Sequence, residues 1–360
     1  QLDNDAIVFG AEEYLREALA PYAAEPPPLL AIISSCAAGL IGDDIEAIAR
    51  GAGLSCPIAV LDSSGLSGSF ADGWDKAACA VLSAFLPEQR AGQANAVNLI
   101  GVTSAYYNGE NDAHELMRLL ALAGYHVNVA LGCDMSAADL SGLTQAALNI
   151  VVHDELGGGA ARLLAETCGM PCIAPLPPYG RAGTRKWLVE IGRALPAPRA
   201  DAAEEEITRV TREDFLRINE CKSLWGELRY ETALIRAPRS TAWGIAQALR
   251  TEWADVCHLA VAADAEGVPT AAPIADEILG ETDAVRIREL LNGLDGGLLI
   301  GSSNESAHIN PRTAAYFPAA YPVQDVLHLS DAPFMGLRGA RHIEETLWND
   351  RILRRKILLP

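Results

Sequence analysis

The sequence has 360 residues, which is enough for two or three domains, and its 50% hydrophobic and 21% charged residues are typical of a folded globular protein. Its formal net charge of −19 disfavours nucleic acid and anionic membrane surfaces as partners, because both are negatively charged. We find no apolar run of about 18 residues and no signal peptide in the first residues, so we expect a cytoplasmic protein with no membrane partner. Its eight cysteines lack the spacing of a disulfide framework, which indicates thiols or metal ligands.

Apolar strand-like segments alternate with helix-like segments along the chain. We predict strands at 29–34, 57–62, 97–103, 126–131, 149–153, 172–175, 232–236, 257–262 and 297–301. We predict helices at 43–51, 74–85, 112–123, 137–147, 160–168 and 184–195. Near-continuous apolar strands, each followed by a helix, indicate an α/β fold with Rossmann-like units whose parallel sheets are flanked by helices.

The segment IISSCAAGLIGDDIEAI (32–48) places Cys36 after the first predicted strand and before a helix. Ligands bind at this edge of open α/β sheets, and the nearby helix N-terminus lowers the pKa of a thiol. Gly39 and Gly42 allow the backbone to approach a bulky ligand. A cysteine in this place either fills the core as a small hydrophobe or holds a bound group.

Two other turns are rich in glycine. The segment SSGLSGSFADGWDKAA (63–78) follows the second predicted strand but lacks the lysine of a phosphate-binding P-loop, so it is either a flexible turn or the lining of a ligand. In HDELGGGAAR (153–162) three glycines precede a predicted helix, a pattern that suits anion binding. His153 is either a metal ligand or a hydrogen-bonded structural residue.

We find no complete catalytic constellation of the G-x-S-x-G, H-E-x-x-H or C-x-x-C type. We place Cys56, Cys79, Cys168, Cys172 and Cys257 in the core, and Cys133 and Cys221 in less apolar settings. In the tail, Asp325 and His328 precede the Gly336–Gly339 stretch, which we interpret as a loop that docks the last helix on the first domain. Because no catalytic constellation is complete, the bond-making and redox steps belong to a cofactor or a partner chain if the protein is an enzyme.

Five segments resemble the nitrogenase component 1 family, which includes the molybdenum–iron protein, and in particular its β-type chain. They are DAIVFGAEEYLREAL (5–19), SSCAAGLIGDDIEAI (34–48), GSFADGWDKA (68–77), LLIGSS (298–303) and YPVQDVLHL with GLRGA (321–340). The cysteine-to-GDD segment is the most specific of them, and the resemblance extends over most of the chain.

The resemblance implies three Rossmann-like domains. We place them at 1–95, 96–200 and 201–325, followed by a C-terminal loop and helix at 326–360 that packs back on the first domain. The first domain would carry the cluster cysteine Cys36. The family has two further cluster cysteines upstream of the segment that resembles 5–19, so we expect the N-terminal part of this domain to lie outside the sequence.

The resemblance also implies an iron–sulfur cluster between this chain and an α-type partner. It would be a P-cluster-like 8Fe–7S or a 4Fe–4S cluster, with Cys36 as metal ligand and with Gly39, Gly65 and Gly68 giving the cluster room. A serine ligand is not assigned, because Gly65 stands at that place. We expect no catalytic residue in this chain, because the iron–sulfur catalytic cofactor would lie in the α-type partner.

From this resemblance we predict a β-type subunit of a nitrogenase-like oxidoreductase. It would form a heterotetramer of two α-type and two β-type chains and relay electrons from an ATP-dependent iron–sulfur reductase homodimer to the α-type chain. Our main prediction for the substrate is a methylthio-alkane, whose C–S bond is reduced. The alternatives are a true nitrogenase β-chain, a scaffold for cofactor assembly and a tetrapyrrole reductase subunit.

Overall fold

The computed structural model describes residues 12–34, 36, 44–61, 68–85, 92–263 and 274–358. In these residues all strand pairs are parallel, and they form sheets of two, four and five strands. Helices connect the strands, so the predicted α/β fold with parallel sheets and flanking helices is confirmed. None of the described helices has the length and apolar character needed to span a bilayer.

The strands are β1 (Leu30–Ile33), β2 (Ile58–Leu61), β3 (Gln93–Ile100), β4 (His126–Leu131), β5 (Ala146–Val151), β6 (Cys172–Ile173), β7 (Arg229–Ala237), β8 (Asp255–Ala263), β9 (Glu277–Leu279), β10 (Leu298–Gly301) and β11 (Ala315–Pro318). The α-helices are α1 (Glu12–Ala24), α2 (Ile45–Gly51), α3 (Phe70–Ala84), α4 (Gly109–Leu122), α5 (Ala137–Leu140), α6 (Asp154–Cys168), α7 (Gly180–Ala194), α8 (Ala200–Trp225), α9 (Arg239–Ala248), α10 (Ala284–Asn292), α11 (Ser303–Ser306) and α12 (Gly336–Leu358). Short 3₁₀ turns at Leu143–Gln145 and Glu281–Asp283 and a π-helical turn at Leu249–Trp253 complete the described elements.

The strand order of the two larger sheets reverses once in each. The first sheet pairs β1 with β2, the second has the order β4-β3-β5-β6, and the third has the order β11-β10-β7-β8-β9. The side of the sheet on which successive strands are added therefore changes between β3 and β5 in the second sheet and between β7 and β10 in the third. A crevice opens outside the carboxyl ends of the strands at such a switch point, and ligands of open α/β sheets bind there.

One buried apolar cluster joins the second and third sheets. It contains Leu99 of β3, Ile235 of β7 and Trp187 of α7, which lies between them in the chain. Burial of such side chains is the main driving force for holding the two sheets together. This shared core fixes the position of one switch point relative to the other.

A buried charged network stabilises the helices that cover this core. The guanidinium of Arg181 bonds to Asp214 (Nη2 to Oδ2, 2.8 Å), Glu344 (Nη2 to Oε2, 2.7 Å) and Glu252 (Nη1 to Oε2, 3.3 Å). These residues belong to α7, α8, α12 and the π-helical turn, so a single side chain ties four segments together. The helix α8, although rich in acidic residues, is thus partly buried through Ala203, Ile207, Val210 and Asp214.

The last helix packs on the third sheet and on the helices that cover the second and third sheets. Among the described residues its main contacts are with α4, α7, α8 and β11. The preceding loop docks on the start of α4, where the Asp112 carboxylate accepts the backbone N–H groups of Phe334 (2.6 Å) and Met335 (2.7 Å). Among the described residues the loop therefore docks on the 96–200 segment, and the expected docking on the first domain stays a prediction.

Several predicted boundaries also differ. The helix predicted at 137–147 is only α5 followed by a 3₁₀ turn, because β5 already begins at Ala146. The strands β9 and β11 were missed, since three or four residues give almost no periodic signal. The glycines Gly157–Gly159 lie inside α6 rather than before it.

Three cysteine placements were wrong. Cys172 is exposed because it lies on the edge strand β6. Cys257 is exposed because it lies in the amino-terminal half of β8, which is less buried than the rest of the strand. Cys133 is buried instead, and burial raises the pKa of its thiol to about 11.

Candidate functional site

A cavity of about 910 Å³ lies where the carboxyl ends of the second and third sheets meet. Its wall is built from the segments that follow β3, β5, β7 and β11, together with the first residues of α3. The first switch point, between β3 and β5, and the β7 side of the second therefore open into the same space. Small-molecule sites commonly have volumes of about 300–1,000 Å³, so the cavity is large enough for a sizeable organic ligand.

The cavity wall is mostly apolar and aromatic. It includes the side chains Phe70, Val102, Tyr106, Tyr107, Leu116, Tyr179, Pro238, Tyr321 and Met335. Two of the aromatic residues are exposed, Phe70 by 56% and Tyr321 by 77%, which places them at a rim that solvent reaches. A few polar groups are set into this apolar surface, a distribution that is characteristic of ligand pockets.

A close approach of two glycines places His153 in this wall. Gly101 follows β3 with φ of +74°, and a Cβ there would lie 2.4 Å from the carbonyl oxygen of His153. Gly157 meets the same turn from the other side, since its Cβ would lie 2.7 Å from the nitrogen of Gly101. The first turn of α6 can thus contact the end of β3. A side chain at Gly101 or Gly157 would prevent this contact.

His153, Ser240 and Glu155 form a buried hydrogen-bonded chain at the base of the cavity. The Nδ1 atom of His153 lies 2.6 Å from Ser240 Oγ, and that hydroxyl donates to Glu155 Oε1 at 2.8 Å. Because the hydroxyl proton points to Glu155, the serine oxygen accepts the Nδ1–H of the imidazole. The other ring nitrogen, Nε2, then carries a lone pair.

Burial shifts the ionisation of both titratable ends of this chain. It lowers the pKa of His153 to about 4, so the imidazole is neutral at pH 7. It raises the pKa of Glu155 to about 7, assisted by the adjacent Asp154. Perturbed groups in a cavity are typical of functional sites.

Asp112 is a third perturbed group at this cavity. Its side chain is buried, and burial raises the pKa to about 7 even though two backbone N–H groups of the docking loop donate to it. Arg239 brings a cation to the wall, held by a bond from its Nη2 to Asp154 Oδ2 at 2.6 Å. The hydroxyl of Tyr107 is buried and has no hydrogen-bond partner among the described residues.

An aromatic row runs from α3 to the base of the cavity. The ring centroids of Trp74 and Phe70 are 6.1 Å apart, those of Phe70 and Tyr106 are 6.0 Å apart, and those of Tyr106 and His153 are 5.0 Å apart. The last pair meets edge to face, which is a favoured arrangement. The row thus ends on the His153 ring.

The sequence predictions for the site fall partly on described residues. Cys36 is exposed and lies just beyond β1, whereas Gly39 and Gly65 lie outside the described residues. Gly68 has φ of +148°, and a Cβ there would meet Asp72 at 2.8 Å. Asp72 forms the capping box of α3 with Ser69, so Gly68 has a local role at this helix start. The assignment of these residues to a cluster stays a prediction.

The other motifs have structural roles. The backbone N–H of Gly159 donates to Asp75 Oδ1 at 3.0 Å, so the predicted anion at the three glycines is replaced by a carboxylate of α3. Asp325 accepts a hydrogen bond from Ser303 Oγ at 2.6 Å, and His328 Nε2 lies 3.1 Å from Ala332 O. These contacts hold the docking loop in shape.

Sequence reasoning missed most of the cavity wall. Tyr106, Tyr107, Glu155 and Arg239 were not singled out, although each follows the end of a predicted strand. The polar and aromatic turn after β3, in which two tyrosines follow a buried strand, was the available signal. Only the fold shows that the turns after β3, β5, β7 and β11 meet.

An iron–sulfur cluster is compatible with the position of Cys36. Its thiol is exposed, so it can reach a group bound at the chain surface, which a buried thiol could not. Such clusters are usually held by four thiolates, so Cys36 would need additional ligands. Among the described residues, no three metal-ligating side chains of the His, Cys, Asp or Glu type lie together as a metal site.

Comparisons with known proteins identify the family of this chain and agree with its fold. The sequence model of the nitrogenase component 1 type oxidoreductases matches residues 1–350. A subunit of the light-independent protochlorophyllide reductase of Methylobacterium sp. (strain 4-46) is 26% identical over 348 residues, which cover 94% of this chain and 67% of that protein. The subunit of the same description from Prosthecochloris aestuarii (strain DSM 271 / SK 413) is 29% identical over 174 residues, which are 46% of this chain and 31% of that protein.

A solved structure described as "Nitrogenase Cp1 at pH 6.5" has a similar fold. It superimposes with a TM-score of 0.79 over 100% of this chain and 83% of the other, at 15% sequence identity. A second one, "Nitrogenase Cp1 at pH 5", gives a TM-score of 0.74 at 19% identity. These matches show a shared fold.

Proposed function

Because the chain belongs to the nitrogenase component 1 type oxidoreductase family, we propose that it is a β-type subunit of a nitrogenase-like reductase that acts on a tetrapyrrole. The observation that carries the proposal is the family match along residues 1–350, in which Cys36 stands exposed beyond the end of β1. The chain would work with an α-type subunit, as a heterotetramer, and with a separate ATP-dependent iron–sulfur reductase.

Cys36 is the residue that we assign to the cluster. Its thiolate would be one ligand of an iron–sulfur cluster shared with the α-type partner, and a bound cluster supplies one-electron transfer. Gly68, and Gly39 and Gly65 outside the described residues, remain the proposed small residues around it.

The substrate proposal departs from our main expectation. A methylthio-alkane is a small molecule, whereas the cavity is large and mostly apolar, with several aromatic side chains. The curated relatives are described as protochlorophyllide reductase subunits, and protochlorophyllide is a flat tetrapyrrole. The tetrapyrrole alternative is therefore better supported than the methylthio-alkane prediction.

Turnover by the complete complex tests this proposal. The complex would be purified anaerobically with its ATP-dependent reductase and offered protochlorophyllide, a methylthio-alkane and dinitrogen in separate reactions. We expect ATP-dependent reduction of protochlorophyllide, which is measured by the shift of its absorption band. Turnover of either other substrate alone would refute the substrate proposal. A cluster-containing complex that reduces none of them would instead support the scaffold alternative.

A further inference from the structure

The docking loop, residues 321–335, closes one side of the cavity, and its last residue, Met335, lines the space. Backbone N–H groups hold the loop in place. That of Met335 donates to the buried Asp112 at 2.7 Å, and that of Gln324 donates to Ser303 Oγ at 2.7 Å. These bonds are made while the loop is seated against α4 and α11, so their amide protons report whether it is seated.

The middle of the docking loop is exposed to solvent. Leu327 and Leu329 have 79% and 84% of their surface exposed. A side-chain bond ties this part to α4, since Asn111 Nδ2 donates to Ser330 O at 3.2 Å. A segment with few buried apolar contacts opens at a lower free energy than the core, so the loop can leave its seat while the sheets stay folded.

Two histidines meet between the docking loop and α12. The ring centroids of His328, in the loop, and His342, on α12, are 5.3 Å apart. The ring of Phe334 is stacked on His342, with centroids 5.8 Å apart and an interplanar angle of 7°. Phe317 and Tyr107 complete the aromatic cluster, each in contact with Phe334. The two imidazoles are therefore part of the contact that seats the loop on the helix.

Acid adds positive charge to this aromatic cluster. Burial lowers the pKa of His342, the neighbouring His328 lowers it further, and Glu345 acts in the opposite direction. In the seated loop His342 therefore takes up its proton only below the ordinary histidine pKa of about 6.5. Unseating exposes the imidazole to water and returns its pKa to that value. The unseated form then binds more protons, so acid favours it by up to about 10-fold per pH unit below pH 6.5.

Other ionisable groups surround the docking loop and α12. They are Tyr107 after β3, Asp112 and Glu115 on α4, Asp325 and Asp331 in the loop, and Arg338, Arg341 and Glu345 on α12. Burial raises the pKa of Asp112 to about 7, so the seated form binds this proton more tightly and acid favours it. Burial also raises the pKa of Tyr107, so its hydroxyl stays neutral at and below pH 7.5. An opening induced by acid would therefore come from the histidine pair and not from Asp112.

We propose that the docking loop gates the cavity in response to pH: protonation of the His328–His342 pair unseats the loop and opens the cavity to solvent. While the pair is uncharged, Phe334 stacks on His342 and the loop stays seated. Access to the cavity is controlled in this way whatever the substrate, and it does not depend on the iron–sulfur ligand Cys36.

Hydrogen exchange followed by mass spectrometry tests this gate. The anaerobically purified complex is labelled at pH 7.5 and at pH 5.0, and each rate is corrected for the intrinsic effect of pH on exchange. We expect the amides of Gln324, Phe334 and Met335 to exchange at least about 10-fold faster at pH 5.0 after this correction. The amides of β7 should keep their protection. His342→Phe keeps an aromatic ring that does not titrate, and it should reduce the increase to less than about 2-fold.

The matched control is His308→Gln, which removes an exposed histidine after α11 and should keep the full increase. If His342→Phe does not fold, as judged by its thermal midpoint, His342→Gln replaces it. Three results would overturn the gate. They are equal protection of the loop at both pH values in the wild type, a full increase in the folded His342 variant, and a parallel loss of protection in β7, which would show global unfolding.

Discussion

Replacing Arg181 by methionine should strongly destabilise the fold. The guanidinium is buried together with Asp214 and Glu344, whose side chains are 6% and 5% exposed. Removing one partner of a buried ion pair costs about 3–5 kcal/mol, because the remaining charge stays desolvated. Asp214 keeps the Nε of Arg341 at 2.8 Å. Glu344 loses its charged partner, so most of the cost arises there.

The cost of this substitution should also depend on pH. Burial raises the pKa of Glu344 to about 7 in the intact protein, although Arg181 opposes this rise. Loss of Arg181 moves the folded-state pKa of Glu344 further up. An acid with a raised folded-state pKa contributes its full stability at low pH and loses it as pH rises. The deficit of Arg181→Met should therefore grow above pH 7, by up to about 1.4 kcal/mol per pH unit.

Denaturant unfolding followed by tryptophan fluorescence measures both effects, since Trp187 and Trp348 are buried in the same helices. Arg185→Met is the matched control on α7, because its ion pair with Glu204 is exposed and should contribute less than about 1 kcal/mol. Adding Glu344→Gln to Arg181→Met should abolish the growth above pH 7. A deficit equal to that of Arg185→Met, or one independent of pH, would refute this reasoning.

Two further predictions concern the cavity wall. Gly101→Ala should lower the free energy of unfolding by at least about 2 kcal/mol, because it combines a left-handed backbone with a clash against His153 O. The control Gly296→Ala, at φ of +72° with nothing within 4 Å, should cost only about 1–2 kcal/mol. Equal shifts of the thermal midpoint in the two variants would contradict this prediction. The pKa of Asp112 is raised from 3.8 to about 7, so this carboxyl should reduce stability by up to about 1.4 kcal/mol per pH unit between pH 5 and 7. Asp112→Asn should flatten the stability curve over that interval in denaturant titrations, and an unchanged slope would show that the carboxyl is already ionised at pH 5.

The regular part of the fold was predictable from periodicity. The strand predicted at 126–131 is β4 with the same bounds, and most other strands differ by a few residues. Short edge strands were not predictable: β9 has three residues, and β11 ends in Pro318. Glycines mislead in the opposite direction, since Gly157–Gly159 suggest a loop but lie inside a helix that needs them to approach β3 and α3.

The cavity could not be predicted in the same way, because tertiary structure creates it. Thr103 and Tyr321 both line it although they are far apart in the chain. Their proximity depends on the strand order of two sheets and on the shared core between them. His153 was recognised as a candidate, but its Ser240 partner lies on α9, after β7, which no local pattern indicates.

Iron and acid-labile sulfide per chain test the central claim, that Cys36 ligates a cluster in a nitrogenase-like subunit. The measurement compares the anaerobically purified wild-type complex with Cys36→Ala and with Cys172→Ala, which removes another exposed thiol. We predict several irons per chain in the wild type and in Cys172→Ala, and a clear loss in folded Cys36→Ala. Equal iron content in all three proteins, or no iron in the wild type, would contradict the assignment of Cys36 to a cluster.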